Sequence, residues 1–316
     1  MQQVAQEMNQ AVRQHLRSRS KHSPVHTNRA SELGHPCSRY VCYVRVAWQD
    51  RELPDETLQV IFDDGNMHER YVIRLLEDVG YNVQEQQIPF EWKEYSITGH
   101  LDAVLYIEDI GQVVAEMKST NDHTYQTLNC AADFLNGQWW VKKWYGQLQL
   151  YLLLKNLDNG LFILKDKSPM GRFPLKFIPV ALDYEYAEGL LRKAEMANKV
   201  VAAVEKQREM GMTDPADLDR LLPDRIEPDE KICGRCSFIH RCMGQRTFGP
   251  ELVILTDEQI SAKVIRREEL KPFSKEYKDV HDGLRQAIIN AGGNVISGDY
   301  HLTIGGRNAL KVDKVK

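Results

Sequence analysis

The chain has no long apolar run. Nothing in its 316 residues approaches the ~20 consecutive apolar residues that a membrane-spanning helix needs. The first twenty residues, MQQVAQEMNQAVRQHLRSRS, lack the apolar centre of a secretory signal. The expected location is therefore cytoplasmic. Cysteine is scarce, at six. In a reducing cytoplasm so few thiols argue against a disulfide framework and leave metal ligands or core residues. An excess of positive charge is missing too. Lys and Arg number 41 against 45 Asp and Glu, a net charge of −4. That is not the basic balance usual for nucleic-acid binding, but it does not exclude such binding where basic residues gather locally. No GxxxxGK[ST] loop occurs, so any unwinding motor must be another protein. Internal repeats and low-complexity tracts are also absent.

What remains is an ordinary globular composition, 42% hydrophobic and 27% charged, in a length that suits about two domains or one with additions. Residues 1–17 have Met1, Val4, Met8, Val12 and Leu16 at helical spacing, which predicts an amphipathic helix packed on the core. Its basic end (Arg13, Arg17, Arg19, Lys21) suits a helix C-terminus or a phosphate contact. A turn-rich stretch follows, then a helix over 66–79 and strands over 81–118. Residues 139–155 predict a buried helix and 184–210 a long Ala-rich one. Pro215, Pro223 and Pro228 mark a linker before a cysteine group at 233–242. The tail predicts a basic helix near 274–291 and a Gly-rich hairpin. These readings divide the chain into 1–60, 61–210, 211–249 and 250–316.

Chemistry concentrates in GHLDAVLYIEDIGQVVAEMKS, residues 99–119. Asp102 falls on the first of two strands, and Glu116-Met117-Lys118 on the second. Glu116 and Lys118 leave the same face of their strand. Two carboxylates and a neighbouring lysine are what a magnesium-dependent phosphodiesterase needs. The acids hold the metal, with help from the Met117 carbonyl, and the lysine handles the attacking water or the developing charge. A surface hairpin closed by a salt bridge would carry the same letters. His68, after Asp-Gly at a helix start, is either a cap or a third metal ligand that would favour manganese. Gln147 and Tyr151, four apart, share a helix face, as a core stripe or as a polar pair lining a groove. Trp139, Trp140 and Trp144 with Lys142 and Lys143 suit a core helix or a single-strand track. In the tail, Lys263, Arg266, Arg267, Lys271, Lys275 and Lys278 are interrupted by Glu268, Glu269, Glu276 and Asp279, which reads as a solvated helix.

Cys233, Cys236 and Cys242 form a compact triplet. Three thiolates do not close a tetrahedral site, and Cys37 is the best fourth candidate. Cys42 could replace it, His240 would give a zinc site of three cysteines and one histidine, and Cys130 reads as a buried apolar residue.

The ordered set His68, Asp102, Glu116-x-Lys118 and Gln147-x-x-x-Tyr151, over roughly residues 30–245, resembles the RecB-like branch of the PD-(D/E)XK nuclease superfamily. With the cysteines, it is similar to the iron–sulfur nucleases, among them the CRISPR-associated exonucleases and AddB-type nuclease domains. The resemblance implies an α/β fold: a restriction-endonuclease-like core, with a mixed central sheet flanked by helices. Iron–sulfur-stapled helical segments at both ends and a small helix-plus-hairpin extension would complete it. It further implies a DNA exonuclease using Mg2+ or Mn2+, with catalytic Asp102, Glu116, Lys118, Gln147 and Tyr151. His68, Asp102, Glu116 and Met117 would bind that metal. Cys37, Cys233, Cys236 and Cys242 would hold a structural 4Fe–4S cluster, with Zn2+ as the rival. Expected partners are DNA with free ends or single strands, a helicase or a recombination or adaptation protein, and a second copy of the chain. The alternative function is a catalytically weak DNA-binding or structural subunit of a larger nuclease complex.

Overall fold

A computed structural model describes residues 1–169, 171–243, 258–291, 295–297, 300–304 and 309–314, without the side chains of 230, 258–268, 271 and 272. The chain forms two compact units, Met1–Glu251 and Leu252–Lys316. No helix among the described residues is long and apolar enough to cross a membrane.

The first unit opens with α1 (Gln2–Arg19), which has no buried residue. This corrects the expectation that it packs on the core. Its apolar stripe is one residue wide and flanked by Gln, Glu and Asn, too narrow to drive burial. Its basic residues hold it instead: Arg13 and Arg17 pair with Glu56, and Arg19 with Asp63. There follow β1 (Asn28–Arg29), α2 (Ala30–Leu33), α3 (Ser38–Val46) and α4 (Glu56–Asp78). α4 starts well before the expected 66, because Asp55 caps it by accepting from the Leu58 N–H at 2.8 Å. His68 is therefore mid-helix, not at a helix start.

Next come β2 (Asn82–Trp92), β3 (Ile97–Ile107) and β4 (Gly111–Thr120). Asp109 and Gly111, both with positive φ, make the β3–β4 turn. Short helices α5 (Asp122–Thr127) and α6 (Ala131–Asn136) lead to α7 (Trp139–Lys155), β5 (Asn159–Asp166), β6 (Leu175–Ala181) and α8 (Tyr184–Glu209). The sheet runs β1-β3-β4-β5-β6, with β2 also paired to β3. It is mixed, as expected: β4 and β5 are parallel, while β2–β3, β3–β4 and β5–β6 are antiparallel.

Strand alternation sorts the sheet's side chains into two layers. Ala103, Leu105, Ala115, Met117 and Ile163 pack under Val72, Ile73 and Leu76 of α4. Val114, Phe162 and Leu164 join the larger core with Leu148 and Leu152 of α7 and Ala194 of α8. Each large aliphatic side chain so buried is worth about 1.5–3 kcal/mol.

The cysteine-bearing segment carries α9 (Pro215–Leu218), α10 (Glu230–Cys233) and α11 (Ile239–Met243). It returns to the chain's beginning. Arg39 donates to the carbonyls of Asp219 and Pro223, the Tyr43 hydroxyl donates to Asp219, and Arg241 pairs with Asp219 and Asp50.

The second unit holds α12 (Glu258–Asn290), longer than the 274–291 expected, and a three-stranded antiparallel sheet of β7 (Val295–Ser297), β8 (Tyr300–Ile304) and β9 (Leu310–Lys314). The third strand was not legible as part of the hairpin pattern. Lys275 and Lys278 are exposed, like the intervening Glu276. The side chains of Lys263, Arg266, Arg267, Glu268 and Lys271 lie outside the described residues.

Candidate active site

The site begins at a fork in the sheet. β3 and β4 pair from Ala103↔Ala115 to Ile107↔Gly111 and then separate. β1 takes the same edge of β3 at Ile97 and Thr98. Between these ladders, Asp102 replaces a strand partner: its Oδ2 accepts from the Met117 N–H at 2.9 Å. Beyond the fork β4 continues along β5, carrying Glu116 and Lys118.

The fork opens into a cleft of about 700 Å³ lined by Asp102, Met117, Lys118, Gln147 and Tyr151, with Glu69 of α4 and Gln87 of β2. Glu116 lies behind Lys118 with 0% exposure. Lys118 Nζ stands 2.5 Å from Glu116 Oε1, yet neither carboxylate oxygen accepts a well-formed hydrogen bond. Burial, and then Asp102, push the Glu116 carboxyl up to about 8, against the pull of Lys118. Burial also raises Glu69, with Asp102 adding to it. Lys118 is desolvated but held above its ordinary value by Glu116 and Asp102. Three carboxylates thus surround one ammonium group, a donor set with unbalanced negative charge.

His68 is not among the residues lining this cleft. Its charged neighbours are Lys165, Lys167 and Asp64, and burial with the two lysines depresses its imidazole. The acid one position on, Glu69, does line it. Tyr151 is buried, and its hydroxyl is committed: it donates to the His100 carbonyl at 2.8 Å and accepts from Gln147 Nε2 at 2.8 Å. The pair buttresses β3 where it forks. A Cβ on Gly99 would come within 3.0 Å of that hydroxyl and 2.5 Å of the Phe90 ring, so the approach needs glycine.

Glu69 and Gln87 escaped the sequence reading. Gln87 has φ +49° and sits opposite Asp102, between the Gln86↔Ala103 and Ile88↔Leu101 pairs. Its amide donates to Glu69 at 2.5 Å and to Asp102 at 3.4 Å. A left-handed glutamine in a strand is uncommon, and such backbone outliers gather at functional sites. The broken alternation of Gln84-Glu85-Gln86-Gln87 was the available signal.

Residues 5–243 match the model of the PD-(D/E)XK nuclease superfamily. The chain belongs to that superfamily. No curated protein matches it. Among solved structures, SSO0001 is 17% identical, covering 76% of this chain and 98% of its own, with a TM-score of 0.41. An alkaline exonuclease from Laribacter hongkongensis is 10% identical, covering 59% and 95%, with a TM-score of 0.42. The same exonuclease in complex with dAMP gives 11%, 58% and 97%, and a TM-score of 0.39.

In this PD-(D/E)XK chain the donors suit a divalent ion. Glu116 offers buried oxygens without hydrogen bonds, and Asp102 keeps an oxygen toward the cleft. Among the described residues no three His, Cys, Asp or Glu side chains form a complete ligand group. Magnesium does not require one, since it is commonly held by one or two carboxylates with waters and substrate phosphate completing the shell.

The thiols lie elsewhere in the fold, and among the described residues they too form no such ligand group. Cys37, Cys233, Cys236 and Cys242 line one small cavity with His35, Tyr40 and Tyr43. Burial and the neighbouring thiols push Cys236 up to about 11, against the pull of the Phe238 backbone. Cys42 is fully buried, against Met196 Sδ at 3.9 Å, and does not line the cavity. His240 turns to Glu52, 3.3 Å away. Cys130 is exposed at the N-cap of α6, which corrects its reading as a core residue. None of Trp139, Trp140 and Trp144 lines the cleft: Trp139 donates to the Lys231 carbonyl and meets His35 edge-on, Arg235 covers Trp140, and Trp144 packs on the core.

Proposed function

We propose that the chain is a divalent-metal-dependent DNA exonuclease acting on single strands or DNA ends, with a structural 4Fe–4S cluster. The observation that carries the first part is Glu116, wholly buried, without a hydrogen-bonded oxygen, beside Lys118 and the Asp102 fork. Asp102 and Glu116 would hold Mg2+ or Mn2+, with the Met117 carbonyl and Glu69 at its edge. The ion, when bound, would supply Lewis acidity to the phosphate and lower the pKa of a water.

The rest falls to the chain's own groups. Lys118, anchored by Glu116, keeps its charge at the cleft wall, where it orients the water and opposes the extra negative charge of the phosphorane. Gln87 holds Glu69 and Asp102 at a fixed separation. Gln147 and Tyr151 fix the His100 backbone and so act as positioning residues. His68, which does not line the cleft, would join the metal only from its edge.

The cluster reading rests on four thiols around one cavity, the donor number such clusters use. Zinc remains the rival occupant for four thiolates. The cavity brings an early and a late segment of the first unit together and shares no lining residue with the carboxylate cleft, so its role would be structural. The activity would serve DNA-end processing in recombination, replication or CRISPR adaptation, with unwinding left to a partner.

The test is a cleavage assay on end-labelled linear single-stranded DNA, with protein purified anaerobically and Mg2+ or Mn2+ added. Metal-dependent shortening by the wild type, abolished in Glu116→Ala, is the expected result. Normal cutting by Glu116→Ala would remove the site assignment. Intact DNA binding without cutting by the wild type would favour the binding-subunit alternative.

A further inference from the structure

One wall of the cleft does not fit a purely polar site. α4 faces it with Ile61, Phe62, Gly65, Asn66 and Glu69, a single helical face. Glu69 marks the carboxylate end of that face. At the other end Ile61 is 45% exposed and Phe62 47% exposed, although both side chains line the cleft. Gly65, between them and Glu69, leaves the wall open: a Cβ there would meet only Ser119 Oγ, at 4.0 Å. Arg29 and Lys167 supply positive charge to the same cleft. Neither the fold nor the carboxylate chemistry accounts for a solvent-facing aromatic here, since the buried face of α4 is made by Val72, Ile73 and Leu76.

We infer that Phe62, supported by Ile61, is a platform on which an unpaired base near the DNA end stacks, and that it sets the preference for single-stranded or frayed ends. The inference rests on the nuclease reading above and adds the feature of the substrate that is recognised. A cationic track for phosphates combined with an apolar ring for bases is how single strands are held without sequence preference. A base paired within a duplex has both faces covered by its neighbours and offers no free face to the ring. Seven helical residues separate Phe62 from Glu69, an axial rise of about 10 Å. A stacked strand rises ~3.4 Å per nucleotide and an unpaired one spans at least that, so the distance holds about three nucleotides or fewer. The base held would therefore lie within the terminal few nucleotides, counted from the bond being cut.

The experiment uses the full chain as wild type, Phe62→Ala and Phe62→Leu. The substrates are a single strand, the same strand abasic at its three terminal nucleotides, and a blunt duplex. Loss of the ring should raise KM on the intact single strand by about five- to a hundredfold, with kcat changed far less. Leu should recover part of the loss. The wild type should lose a similar factor on the abasic strand, and Phe62→Ala should show no further loss there. Equal effects of Phe62→Ala on intact and abasic strands, or no change in KM, would overturn the platform.

A binding arm separates this from failure of the nuclease reading. Strand carrying terminal 2-aminopurine is titrated in Ca2+, and quenching on binding reports stacking. If the wild type cuts nothing but quenches, and Phe62→Ala binds without quenching, the platform stands and the nuclease reading falls. If wild type and Phe62→Ala quench alike, the platform falls whatever the cleavage assay shows.

Discussion

Replacing Lys143 by Met should destabilise the protein by about 2–3 kcal/mol at neutral pH, and the deficit should shrink in acid. Lys143 on α7 reaches Glu32 on α2, with Nζ 2.5 Å from Oε2. Glu32 is almost out of solvent, its side chain 11% exposed. Its remaining partners are the Tyr40 hydroxyl, which donates at 3.1 Å, and Arg51 at 3.4 Å. Removing one partner of a buried pair costs about 3–5 kcal/mol, and Arg51 and Tyr40 remain to offset part of that. Burial alone would raise the Glu32 carboxyl, but Lys143, then Arg51 and Tyr40, hold it below the ordinary carboxylate value.

The sign of the pH effect follows from that depression. Glu32 contributes stability above its unfolded value, about 4.5, and that contribution is lost as pH falls through the depressed folded value. In Lys143→Met the depression is removed, so protonation relieves the buried charge instead of breaking a bond. Urea unfolding at pH 7, 4.5 and 3 should therefore show the wild-type and variant midpoints converging below about pH 4.5, where the wild type loses this contribution. The double variant Glu32→Gln/Lys143→Met should cost less than the sum of its parts. A loss below about 0.5 kcal/mol at pH 7, or a gap that does not change with pH, would show that the pair is solvated and the reasoning wrong.

Further outcomes test the rest of the description. Gly34→Ala should cost about 2 kcal/mol or more by thermal denaturation, because its Cβ would sit 2.8 Å from the Lys143 Cα at the α2–α7 crossing. Glu69→Gln should raise the Mg2+ concentration for half-maximal cleavage by about ten- to a hundredfold, while His68→Gln should shift it far less; a metal titration of each decides. Cys37→Ser should lower iron content and the brown absorbance together with the melting temperature, whereas zinc in the wild type by metal analysis would replace the cluster reading. Tyr151→Phe should cost about 1 kcal/mol by urea unfolding, through its lost donation to the His100 carbonyl.

The parts legible in the sequence were those fixed by short-range periodicity. Alternation placed β3 and β4, and the continuous apolar run of α7 made it a buried helix with the bounds observed. Less legible were features set by how elements meet. On α4, Asp64-Gly65 read as a boundary, yet the helix passes through it because Asp55 caps it upstream. One residue on a helix is about 100° of rotation, enough to put Glu69 among the residues lining the cleft and leave His68 out. The separation of β3 from β4 depends on a side chain replacing a ladder bond, which no pattern of polar and apolar letters encodes. Cys130 carried no partner in sequence and was assigned to the core on composition, but its thiol caps α6 at the surface.

The return of the last helices of the first unit to its first ones has a consequence during synthesis. Cys37 and the Arg39–Tyr43 face of α3 wait for Asp219, Cys233 and Arg241, which the ribosome delivers about two hundred residues later, or some 10–40 s at ~5–20 residues per second. Throughout that interval the sheet and its carboxylate fork can form, while the early thiols stand exposed to oxidants and to stray metal. With the proposed cluster, the cavity would be loaded only after these late helices arrive, and pulse-labelled nascent chains reacted with a thiol probe would report how long Cys37 stays accessible.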